Sequence, residues 1–236
     1  MSNSQNRSDA GFSLIELAVI LVVLGVIMGI VSAGKDVVRS AEFKKIYARH
    51  IQAWSDAYSD HIDRQGVVVG DDADSPTLKV NGIQGVDPLP ELCDTNAGVA
   101  DELHAYMDAA GIEMPSGRAE GREDRYVYQD TNGNPQEVQI CFLNTDWSDQ
   151  AGVSVERNVM VIKGLEPALA RSLDTTIDGR PDARFGLFRL DELAGDPSTT
   201  SAVWPADNRD TYGTTSGGNL DEDQIAVMTA YYRMSQ

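Results

Sequence analysis

Apolar residues follow one another without a polar side chain from Leu17 to Val31, and beyond them the pattern changes period. Val37, Val38, Ala41, Phe43, Ile46, Tyr47, His50, Ile51, Trp54, Tyr58 and Ile62 recur at three- and four-residue intervals, with Lys44, Lys45, Gln52, Asp56 and Asp63 between them. That spacing places the apolar set on one side of an α-helix. Gly66 is a natural stop, because glycine takes the left-handed conformation that ends a helix. The two patterns predict one helix from Phe12 to Gln65, about 80 Å long at 1.5 Å per residue. Its first half, residues 12–34, is apolar all round and about as long as a helix needs to cross a bilayer. Its second half, residues 35–65, is amphipathic and has one face to pack against a domain of its own.

Downstream the chain is organised differently. Residues 66–91 are rich in Gly, Asp and Pro and predict loops, and Ala97–Ala110 predicts a short helix ending at Gly111. Arg125–Gln129 and Glu137–Phe142 are β-rich runs on either side of Asp130-Thr131-Asn132-Gly133-Asn134-Pro135, and Asn-Gly between such runs signals a hairpin. A third strand is expected at Asn158–Ile162, extending the hairpin to an antiparallel meander. Gly164–Asp182 predicts a helix started by Pro167 and ended at Asp178-Gly179, with Leu169, Leu173 and Ile177 as its buried stripe. Asp191–Asp221 predicts a polar surface excursion anchored by Trp204 and Tyr212, a candidate contact surface. Ile225–Met234 predicts a last strand. The fold class is α+β: a long N-terminal helix packed on an antiparallel β-sheet head of residues 66–236.

One ionisable group interrupts the apolar half, Glu16. A carboxylate among apolar side chains in a membrane costs about 3 kcal/mol, so it requires a partner. Cleavage between Gly11 and Phe12 would create one, a positive amine on Phe12 near the level of Glu16 in a neighbouring copy. Gly11-Phe12-Ser13-Leu14-Ile15-Glu16-Leu17 at the head of an apolar helix resembles the processing site of type IV prepilins and type II secretion pseudopilins. The resemblance implies that residues 1–11 are a leader removed by a prepilin peptidase and that Phe12 is N-methylated. It further implies that Glu16 aligns each subunit on the last as a helical filament of pilins or pseudopilins grows. The protein would sit in the inner membrane as a single-pass subunit before assembly, and in a periplasmic or cell-surface filament after it. Two departures from the family stand out: the leader has a single basic residue, Arg7, offset by Asp9, and no proline lies near Ala33, where Gly34 is the candidate for a loosened turn.

A second resemblance covers the C-terminal half. Asp174, Ile177-Asp178-Gly179, Pro181 and Phe185-Gly186-Leu187-Phe188 fill the places of a pattern in large pilin-like proteins of Gram-negative bacteria: a short helix, an aspartate, an Ile-Asp-Gly turn, a proline and a glycine-led strand. It implies that the head belongs with such pilins.

Charge and chemistry narrow the function. The net charge of −18 opposes nucleic acid, whose phosphates need basic patches. Lys35, Arg39, Lys44, Lys45 and Arg49 form a basic cluster just past the apolar half, suited to lipid headgroups or to acidic faces of neighbouring subunits as well as to plain solvation. Cys93 and Cys141 would both lie in the exported part, where a disulfide closing a loop of about fifty residues contributes about 3–4 kcal/mol; two buried thiols are the alternative. Neither cysteine has a second one at metal-ligand spacing. Asp71, Asp72 and Asp74 lack the spaced ligands of a calcium loop, and Asp130–Pro135 has its glycine misplaced for one. His50, His61 and His104 are scattered, with no nucleophile motif or nucleotide loop beside them, so no metal, cofactor or enzyme activity is expected. The expected function is a structural pilus or pseudopilus subunit. The alternative is a minor or tip pilin whose head is an adhesive or cargo-binding module.

Overall fold

A computed structural model of the chain describes residues 14–82, 91–92, 102–149, 153–205 and 227–235. Two compact units divide it, Met1–Ala41 and Glu42–Gln236. Helix α1, Leu14–Ile46, supplies all of the described part of the first unit and the opening of the second. A five-residue π-helical turn, Tyr47–Ile51, leads directly into α2, Gln52–Gln65. The predicted long helix is present, with this one wide turn that periodicity did not reveal. Both His50 and Ile51 are buried there. Gly66, at φ 75°, ends α2, and its N–H bonds the Ile62 carbonyl at 2.8 Å.

The buried row of the helix begins at Phe43 rather than Val37. Val37 and Val38 lie in the first unit and are exposed, whereas Phe43, Ile46, Ile51, Trp54, Ala57 and Tyr58 are buried. Their partner is a five-stranded antiparallel sheet built from β1 (Arg125–Gln129), β2 (Pro135–Ser148), β3 (Ser154–Leu165), β4 (Phe188–Leu190) and β5 (Met228–Arg233). The spatial order is β1-β2-β3-β5-β4. Pairing of Phe142 with Met160, Met160 with Tyr232 and Phe188 with Tyr232 puts all four side chains on one face. The ring of Phe142 lies 6.4 Å from Trp54 and 4.9 Å from Tyr58, so this is the face that the helix covers.

Strands β1, β2 and β3 form the expected meander, but β2 and β3 run longer than apolar composition indicates. Their pairing continues from Gln139 and Lys163 out to Ser148 and Ser154, where Val155 is exposed and its partner Trp147 is buried. Between Ile162 and Leu165 the β3–β5 register shifts. Gly164 makes the irregularity possible: its φ is 83°, and a Cβ there would stand 2.0 Å from the Glu137 carbonyl oxygen.

Helix α3, Glu102–Ala109, occupies the latter part of the predicted Ala97–Ala110, whose first residues lie outside those described. Helix α4, Pro167–Asp178, starts on Pro167, ends at Gly179 with φ 78°, and of its expected stripe buries Leu169 and Leu173 while Ile177 is half-buried. The predicted excursion after Asp191 opens instead with a short helix, α5, Asp191–Ala194. Trp204 is buried and stacks 5.5 Å from Phe188, while Tyr212 lies outside the described residues. The arrangement is α+β and pilin-like.

Candidate assembly stem and the internal ties of the head

Among the described residues of the first unit, the large apolar side chains are exposed. Every large apolar residue from Leu14 to Val31 is at least 45 % exposed, Leu14 reaching 91 %. A Cβ added at Gly25, Gly29 or Gly34 would meet nothing within 4 Å. Glu16 stands exposed in the first turn, where the unbonded N–H groups of a helix favour a negative charge. Length and composition suffice for this helix to cross a membrane. Gly11 and Phe12, the expected cleavage and methylation positions, lie outside the described residues. Of the basic cluster, Lys35, Lys44, Lys45 and Arg49 are exposed and Arg39 is half-buried.

Several buried polar groups of the head are tied to partners far away along the chain. Asn158, fully buried on β3, accepts the Val80 N–H at 2.9 Å and the Asn144 side-chain amide at 2.8 Å, and donates to the Leu78 carbonyl at 2.9 Å. It thereby holds a turn in which Leu78 and Asn81 adopt positive φ of 62° and 52°, a conformation that costs a branched side chain on the order of 1–3 kcal/mol. Asp71, within the acidic run, gives its carboxylate to the backbone N–H groups of Thr77 and Leu78 and to the Thr77 hydroxyl.

The hairpin loop is organised the same way. Asp130 accepts N–H groups from Asn132 and Asn134, each at 2.9 Å, and the Gln136 side chain at 3.0 Å. Buried Glu166, one residue before α4, accepts the Thr131 N–H and hydroxyl at 2.9 and 2.7 Å. Its own N–H bonds the Tyr128 hydroxyl, which donates to the Gly164 carbonyl. Hairpin tip, bulge and helix start are thus one hydrogen-bonded unit.

The second sequence pattern now has a physical meaning, because its aspartates Asp174 and Asp178, together with the adjacent Asp182, accept backbone N–H groups from the chain that follows α4. Asp178 binds the N–H groups of Leu187 and Phe188 at 2.9 Å, and Asp182 binds those of Arg184, Phe185 and Ala202. Asp174 takes the Trp204 indole N–H at 2.6 Å and the Asp182 N–H at 2.7 Å. Gly186 must be glycine: at φ 103°, a Cβ would lie 2.3 Å from the Asp178 carboxylate. Burial pushes the Asp174 carboxyl up to about 7, against the two hydrogen bonds and with added repulsion from Asp178.

The histidines are packing residues. His50 is buried beside the Tyr126 ring, and burial lowers its pKa to about 4. His61 is lowered for the same reason and contacts the Val67 carbonyl at 3.2 Å. His104 lies 3.0 Å from the Glu123 carboxylate. Among the described residues, no three His, Cys, Asp or Glu side chains gather as metal ligands. Cys141 is buried on β2, and Cys93 lies outside the described residues. Asn158, Glu166 and the Arg189–Trp147 pair, whose guanidinium stacks 4.1 Å from the indole centre, carried no motif that periodicity could have found.

Residues 6–32 match the family model of the prokaryotic N-terminal methylation motif, the prepilin motif of type IV pilin and pseudopilin precursors. No curated protein and no solved structure matches the chain.

Proposed function

We propose that this protein is a structural subunit of a type IV pilus or a type II secretion pseudopilus. A prepilin peptidase cuts it between Gly11 and Phe12 while α1 anchors it in the inner membrane, and Phe12 is N-methylated. The subunit then joins a helical filament of pilins or pseudopilins through the apolar stem. Glu16 of the incoming subunit neutralises the Phe12 amine of a neighbour, and burial of the stems drives the addition. The observation that carries this reading is the methylation motif at residues 6–32 on a helix whose apolar side chains stay exposed from Leu14 to Val31.

A Cys93–Cys141 disulfide belongs to the same proposal. Leu92 donates its N–H to the Phe142 carbonyl at 3.0 Å, which places the residue before Cys93 beside the residue after Cys141. Mass spectrometry of the protein from purified filaments tests the main reading. The expected mature chain begins with methylated Phe12; filament protein that retains Met1 refutes it.

A further inference from the structure

The described head carries one small cleft walled largely by positive charge, on the sheet face opposite α2. Pairing of Val159 with Arg233 and of Tyr231 with Arg189 puts Arg233 and Arg189 on the same face of adjacent strands β5 and β4. Arg157, two residues before Val159 on β3, shares that face. Together with Trp147, Val155 and Asp149 these arginines line a cleft of about 330 Å³. The size is at the lower end of the range for small-ligand pockets and fits a group of a few heavy atoms.

Arg189 is fixed before any ligand arrives. It is only 5 % exposed, stacks on Trp147, and spends Nε on the Gly186 carbonyl and Nη1 on the carbonyls of Ser148 and Ala194. Its Nη2, with two further donors, makes no hydrogen bond among the described residues, and neither does the buried indole N–H of Trp147. The Arg233 side chain is exposed and likewise unbonded among them. Asp149 is the one acid on the wall, and it accepts the Val153 N–H. Burial and the nearby Arg233 lower the Arg189 pKa to about 10, while the charges of Asp178 and Asp182 oppose this. Like charges so gathered, in a chain of net charge −18, favour a negatively charged occupant.

We propose that this cleft binds a small oxyanion, a phosphate or carboxylate group, held by Arg189 and Arg233 with Trp147 as its floor. The test uses the full chain in detergent and follows tryptophan fluorescence during titration with sodium phosphate or sodium acetate, chloride making up constant ionic strength. A saturable change with either anion is expected, and the tighter of the two identifies the ligand class. Arg233→Gln should weaken binding about tenfold, Arg233→Lys should recover part of the loss, and Arg180→Gln, at an exposed arginine outside the cleft, should bind as the parent does. Absence of a saturable change with both anions overturns the proposal, as does unchanged affinity in Arg233→Gln with its native circular dichroism intact.

Discussion

The stem and the head use apolar residues in opposite ways. From Leu14 to Val31 the large side chains face outward, while in the head Trp54, Tyr58, Phe142, Met160 and Phe188 are buried. In the head, Asn158, Glu166 and Asp174 are matched with donors tens of residues away along the chain. The large apolar side chains of the described head are thus enclosed by the head's own residues, and those of the stem are open to solvent. A substitution in one region should consequently fail a different assay from a substitution in the other.

The strongest test of that contrast is at the stem. Gly11→Val should stop processing altogether, leaving a longer product on a gel and no filaments. Glu16→Ala should leave cleavage intact and abolish incorporation into filaments; normal incorporation would remove the role proposed for the acid. Both variants should leave the melting of the head unchanged. In the head, Trp54→Ala removes a fully buried indole that also donates to the Glu123 carbonyl. It should cost about 3–5 kcal/mol in denaturant unfolding while peptidase cleavage proceeds. Asn158→Ala strands the Val80 N–H and the Leu78 carbonyl, and should cost about 1–3 kcal/mol on the same assay.

The smallest effect is one of pH. Asp174, raised from 3.8 to about 7, keeps a proton in the folded protein that the unfolded chain has released, so its contribution to stability declines as pH rises between those values. His50, lowered from 6.5 to about 4, does the reverse, and its contribution is lost as pH falls through that window. Asp174→Asn should remove the first slope and leave the second, so that melting temperature rises more steeply from pH 4 to pH 7. An unchanged profile would mean that Asp174 is not the source of the declining slope.

Elements whose cause is local were readable from the chain. Gly66 and Gly179 end their helices, Pro167 begins one, and the Asn-Gly loop joins β1 to β2, because each of these residues sets its own backbone geometry. The stem and its motif were legible for the same reason. Features made by distant partners were not. Asn158 meets Val80 across 78 positions, and Arg189 meets Ser148 across 41, so neither pairing leaves a spacing to detect. The outer ends of β2 and β3 escaped notice because polar and charged residues such as Thr145, Asp146, Glu156 and Arg157 outnumber the apolar ones there. The π-helical turn escaped notice because His50 and Ile51 fit an ordinary helical stripe as well as a wide one.

The row from Phe43 to Tyr58 also fixes where the molecule can be divided in the laboratory. A soluble fragment starting at Gly66 would strip Phe142 of the Trp54 and Tyr58 rings that cover it. Removing the greasy segment while keeping a well-behaved protein therefore means starting at Glu42 or before it.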